Sequence, residues 1–92
     1  MVPRVTYSAL VVVTLNLPAG AIYRYASPMI SSPKIGVIQQ ALTDAGFSTN
    51  GVDSTFGLDT LSAVIAFQNA KGSTPDGEVG AKTAAALGIS LT

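Results

Sequence analysis

The chain has no cysteine, no histidine and no tryptophan, and only 11% of its residues are charged. Each absence removes a class of chemistry. Without cysteine there is no disulfide framework, no thiolate zinc site and no thiol nucleophile. Without histidine the commonest general base and metal ligand is missing. Five basic residues balance five acidic ones, so the net charge is zero. No basic field exists to attract nucleic acid, and no acidic field exists either. A phosphate-cradling loop is missing too: Lys82 follows Gly80, but G-x-K-T is only the second half of a P-loop pattern. Neither loop that carries acids has the density of oxygen ligands that calcium requires. No cofactor and no metal are therefore expected. At 92 residues the chain is one small domain with room for an appendage. A chain this short buries only roughly 60–65% of its unfolded surface.

What is present is a repeat. Asp53–Thr60 reads D-S-T-F-G-L-D-T and Asp76–Thr83 reads D-G-E-V-G-A-K-T. They share the frame D-x-x-[apolar]-G-x-x-T at a constant offset of 23 positions: 53 to 76, 56 to 79, 57 to 80, 60 to 83. Each copy runs into an alanine-rich apolar segment, so each reads as a tight loop feeding a helix. Phe56 and Val79 are single apolar plugs between polar residues and are expected to point inward. Asp53 and Asp76 can close their loops on backbone N–H groups, as Asx turns do. They could in principle also form a catalytic pair, since glycoside hydrolysis needs two carboxylates across a cleft. Their equivalent places in a repeat make loop closure the better reading, and no enzyme activity is expected.

Three helices are predicted, at 33–45, 58–71 and 81–87. Ser32 reads as N-cap of the first, with Pro33 in its first turn. Ile35, Ile38, Leu42 and Ala45 share one face, with Gln39, Gln40 and Asp44 facing elsewhere. Leu61, Val64, Ile65 and Gln68 form the stripe of the second, extended by Phe67. Gly46, Gly72 and Gly88 mark the helix stops. The expected core is Ile38, Leu42, Phe56, Leu61, Ile65, Phe67, Val79 and Leu87.

The first 27 residues are different in kind. Between Arg4 and Arg24 there is no charge. A secretory signal would use Arg4, the apolar run Ala9–Leu17 and a cleavage site at Ala19-Gly20-Ala21. A membrane anchor would need about 20 continuous apolar residues. Thr6, Ser8, Thr14, Asn16 and Pro18 interrupt this segment, which argues against a membrane span. The third reading is a β-hairpin. Val5, Tyr7, Ala9, Val11, Val13, Leu15 and Leu17 alternate with mostly polar neighbours. Pro18-Ala19-Gly20 supplies a turn, and Ala21–Ser27 a return strand with Tyr23 and Tyr25 on one face. A two-stranded ribbon is marginal alone. Tyr7, Val11, Val13, Leu15, Tyr23 and Tyr25 are therefore expected to dock on a protein partner, or on copies of the same chain.

Residues 34–92 resemble a peptidoglycan-binding domain of the small three-helix type found beside cell-wall hydrolases. The pieces that carry the resemblance are I-x-x-x-Q-Q-A-L-x-x-A-G-F (35–47), V-D-S-T-F-G-x-x-T (52–60), A-V-x-A-F-Q (63–68) and D-G-E-V-G-x-K-T (76–83). The resemblance implies a mainly α fold and a shallow groove for wall polymer among helices and loops. Gln40, Ser54, Thr55, Asn69, Ser73 and Thr74 are the candidate polar contacts for such a ligand, with peptidoglycan as a weakly held partner. Two positions depart from the family pattern. Ser54 stands where the family has glycine, which calls for an ordinary backbone conformation there or a small strain. Ala84 stands where a large residue such as tryptophan is common, which removes an aromatic platform.

The expected organisation is an N-terminal hairpin or docking segment (1–27), a linker (28–33) and the three-helix module (34–92). A chain made of only these parts suggests a non-catalytic wall-binding component of a larger assembly, such as a phage or phage-like tail baseplate, located in the virion or at the cell wall. The alternative is an exported wall-binding protein, periplasmic or secreted, whose N-terminal signal is cleaved.

Overall fold

Ser32 begins the first helix as its sequence suggests. In the computed structural model, which describes residues 20–89, its backbone is extended and its Oγ accepts from the Lys34 N–H, with Pro33 in the first turn. This helix, α1, spans Pro33–Asp44. The second, α2, spans Leu58–Ala70, and the third, α3, spans Ala81–Ala86. Gly57 and Gly80 begin α2 and α3, each without a side-chain cap bond.

All three helices end in the same way. A left-handed glycine follows the last turn, and the next N–H reaches back to a carbonyl five residues earlier. These bonds are Phe47 to Leu42 (2.8 Å), Ser73 to Gln68 (2.9 Å) and Ile89 to Ala84 (2.9 Å). This is the Schellman closure, which satisfies carbonyls the helix leaves open. It also turns the chain sharply back. Ile89 is buried after one such turn. Phe47 packs edge-on against Phe67 after another, with ring centroids 5.5 Å apart.

The core is one cluster. Ile35, Ile38 and Leu42 enter from α1, Val64 and Phe67 from α2, and Ala84 from α3. Phe56 and Val79, the two loop plugs, are fully buried among them. Leu61 and Leu87, expected in the core, are only partly buried and pack on its edge, and Ile65 is likewise half-buried. The buried face of α2 is Thr60, Ala63, Val64, Phe67 and Gln68. The helix is therefore rotated from the stripe that its largest side chains suggest, because two polar residues, Thr60 and Gln68, take places on the inner face. Gln39 is a second correction: it is 1% exposed, not turned away from the core.

The segment before α1 departs furthest from expectation. Ala21–Ser27 is not a strand, and no strand occurs among the described residues. Only two isolated bridges form, Tyr23 with Val79 and Ser31 with Thr55. Tyr23 exchanges both backbone bonds with Val79, at 3.0 and 2.8 Å. Further along, the Ser32 N–H donates to the Ser54 carbonyl and the Phe56 N–H to the Ile30 carbonyl, both at 2.9 Å. The segment is thus a strap that pairs with the second loop at one end and the first loop at the other. The reason is proximity: each loop offers unpaired backbone groups within the same molecule, so the strap satisfies its own there. Residues 30–32, which read as linker, are hydrogen-bonded to the first loop. The predicted strand Val5–Leu17 lies outside the described residues.

Candidate functional site

The two loops are built around two buried glutamines. Gln39 Nε2 lies 2.9 Å from Asp53 Oδ1, 3.0 Å from the Thr55 carbonyl and 2.9 Å from Thr60 Oγ1, while its Oε1 accepts from the Ser54 N–H at 2.9 Å. Gln68 repeats the arrangement. Its Nε2 lies 2.9 Å from Asp76 Oδ1, 3.0 Å from the Glu78 carbonyl and 3.1 Å from Thr83 Oγ1, and its Oε1 accepts from the Gly77 N–H at 2.9 Å. Every partner in the first lock has its counterpart 23 positions later in the second. The repeated frame therefore has a physical reason at each place. The aspartate and threonine receive the amide, and the loop backbone closes on both ends of the glutamine. No buried side-chain polar atom among the described residues lacks a partner.

Each aspartate also makes the expected Asx turn. Asp53 Oδ1 accepts from the Thr55 N–H at 3.0 Å, and Asp76 Oδ1 from the Glu78 N–H at 2.9 Å. These bonds favour the ionised form. The Gln39 amide and then the Thr55 N–H hold Asp53 below the ordinary carboxylate value. The Glu78 N–H and then the Gln68 amide do the same for Asp76.

Gln68 falls on the inward stripe that periodicity gives, whereas Gln39 escapes that reading, since a polar residue beside an apolar face is assigned to the solvent side. A signal was nevertheless present. I-x-x-I-Q (35–39) and V-x-x-F-Q (64–68) are one pattern at an offset of 29 positions. The same offset relates Gly36 to Ile65, and here the copies exchange volume. In the first, Ser54 carries a side chain and Gly36 on the helix has none; a Cβ on Gly36 would sit 2.7 Å from Ser54 Oγ. In the second, Gly77 is the bare position: a Cβ there would sit 2.5 Å from Leu61 Cδ1, with Ile65, the counterpart of Gly36, 3.6 Å away. Ser54 bears the cost, with φ at +64° where Gly77 has +76°. Ser54→Gly is expected to stabilise the fold by about 0.5–1 kcal/mol by relieving that conformation. Gly36→Ala should give little alone, because the Ser54 hydroxyl must turn away, but about 0.5–1 kcal/mol of helix propensity in the Ser54→Gly background. A urea-denaturation cycle of the four proteins measures the coupling; strict additivity would show that the two positions do not interact.

Of the candidate ligand residues, Ser73 and Thr74 come together, lining a cleft of about 310 Å³ beside the second loop with Ile22, Asp76, Glu78 and Lys82. The others are placed elsewhere. Gln40 Nε2 bonds Asp44 on the surface of α1 at 2.9 Å. The Ser54 side chain faces Gly36. The Thr55 hydroxyl bonds that of Ser31 at 2.8 Å. Asn69 is exposed on α2. Among the candidate docking residues, Tyr23 packs against the chain's own core and Tyr25 is exposed. Tyr7, Val11, Val13 and Leu15 lie outside the described residues.

Known proteins share this architecture. The chain is similar to the N-acetylmuramoyl-L-alanine amidase CwlM of Mycobacterium tuberculosis, with 32% identity over 95% of this chain and 21% of the relative. It is similar to the amidase CwlL of Bacillus licheniformis at 38% identity, over 77% of this chain and 21% of the relative. It thus spans about a fifth of the length of these curated relatives. The crystal structure of the SleB N-terminal domain superimposes with a TM-score of 0.69 at 31% identity, covering 77% of this chain and 93% of that one. The sequence model of the peptidoglycan binding domain family matches residues 31–87, from the strap through both glutamine locks to the end of α3. The chain therefore belongs to the peptidoglycan binding domain family.

Proposed function

We propose that this chain is a non-catalytic module that holds its bearer to the bacterial cell wall. Family membership supports the binding. The observation that carries the non-catalytic part is the use made of Asp53 and Asp76. Each gives Oδ1 to a glutamine amide and a backbone N–H, and each is held below the ordinary carboxylate value. A general acid in glycoside cleavage needs the opposite shift. The named relatives are wall amidases, which favours an exported, wall-associated protein. No comparison favours a place in a phage baseplate.

The test is co-sedimentation with purified sacculi, with soluble fragments measured in the same tubes. Sedimentation without release is expected. Release that disappears in Asp53→Asn or Asp76→Asn would overturn the non-catalytic reading, and failure to sediment would overturn binding.

A further inference from the structure

The two repeats share the residues of the glutamine locks, so a charged side chain that differs between them and belongs to neither lock nor core is not one the scaffold requires. The locks use glutamine, aspartate, threonine and a glycine before the helix in both copies. They differ at the rim of the second loop. Glu78 and Lys82 stand there, where the first loop has Thr55 and Asp59 at the same register. Thr55 spends its hydroxyl on Ser31. The lock uses only the backbone of Glu78, through its N–H and its carbonyl. The Glu78 carboxylate has one partner, Arg24, at 3.7 Å and on the surface. A pair so exposed contributes little and is readily exchanged for a better partner.

These repeat-breaking side chains converge in the cleft of about 310 Å³. Two acidic residues, Asp76 and Glu78, one basic residue, Lys82, and the hydroxyl-bearing Ser73 and Thr74 line it, together with Ile22 of the strap. No aromatic residue lines it. A sugar ring is ordinarily held against a flat aromatic or apolar face with few charges, whereas polar groups placed in a cleft fix the orientation of a complementary ligand. A carboxylate and an ammonium in one cleft complement a group carrying both an amine and a carboxylate.

From this geometry we infer that the cleft beside the second loop binds the peptide stem of the wall, not its glycan, at a diamino acid whose free amine meets Glu78 and whose carboxylate meets Lys82. The inference rests on the wall-binding reading and narrows it to one component of the polymer. Ile22 sits against the ligand's aliphatic chain, so the strap completes the site. The first loop, with Thr55 and Asp59 in place of Glu78 and Lys82, has no ammonium and holds no equivalent ligand.

The experiment uses the whole chain and three probes: intact sacculi, peptide-free glycan strands from amidase-treated sacculi, and a stem tripeptide ending in a diamino acid. NMR amide shifts and titration calorimetry are read for the soluble probes, with co-sedimentation for sacculi. The tripeptide is expected to shift amides across residues 73–83, and acetylating its side-chain amine should weaken binding about tenfold, as for loss of one charge-assisted bond. Glu78→Gln and Lys82→Gln should each do the same with little change in thermal unfolding, since neither side chain enters the lock and the Glu78–Arg24 pair is exposed. Binding of sacculi and glycan without the tripeptide would overturn the inference and leave wall binding standing. Failure to bind sacculi would overturn both. Tripeptide binding indifferent to acetylation and to both substitutions would overturn the assignment of the cleft.

Discussion

Gln39→Leu is expected to lower the unfolding free energy by about 3–4 kcal/mol, while Gln40→Leu, one residue along, should stay within about 0.5 kcal/mol. The two side chains are chemically identical and differ only in what they touch. Gln39 is 1% exposed and engages four groups of the first loop. Leucine is close to it in volume, so the loss is polar and leaves no large cavity. It strands the Ser54 N–H, the Thr55 carbonyl and Thr60 Oγ1, each a group whose bond is worth about 1 kcal/mol and more when buried. Gln40 makes one helix-surface bond to Asp44. Urea unfolding at unchanged slope measures both. The effect of Gln39→Leu should also shrink in acid. In the parent the folded-state value of Asp53 is lowered, chiefly by Gln39. That contribution is present above the ordinary carboxylate range and is lost as the pH falls through the folded value. The variant lacks much of it, so the gap between the two curves narrows below about pH 4, near the unfolded value, while the part due to the stranded groups remains. A loss under about 1 kcal/mol at neutral pH would mean that the loop closes without its glutamine.

Phe56→Ala is expected to cost about 3–5 kcal/mol. Phe56 is fully buried and belongs to the cluster formed by the helices and both loops. Its N–H bond to the Ile30 carbonyl is made by the backbone and survives the change, so the loss is that of packing. A chain of this size has a stability of only about 5–14 kcal/mol. The variant should therefore melt far lower and resist proteolysis poorly at 37 °C. Val79→Ala, the same position in the second loop, removes two methyl groups and should cost about 2 kcal/mol. Thermal unfolding followed by circular dichroism ranks the three proteins. A loss below about 1 kcal/mol for Phe56→Ala would place the ring outside the core and undo the account of the loops as plugs.

Sequence alone determined the elements that depend on neighbours in the chain. Ser32-Pro33 starts α1 and glycines at 46, 72 and 88 stop the helices, because caps act within a turn of their own position. The Asx turns at Asp53 and Asp76 are local in the same way. The inward plugs Phe56 and Val79 followed from being lone apolar residues in a polar repeat. What only the tertiary structure decided are the contacts that cross from one element to another. Gln39 reads as a surface residue because an amide is polar. It is buried because a loop 14 residues further on supplies partners for both of its ends. The rotation of α2 has the same cause, since Thr60 and Gln68 are admitted to the inner face only once their loops are folded against them. The strap shows the limit most plainly. Alternation around Tyr23 and Tyr25 specifies a chain that wants a backbone partner, and nothing in that pattern says which one. The partner was Val79 in the same chain, 56 positions away, because a preformed loop edge within the molecule outcompetes any partner that must first be found in solution.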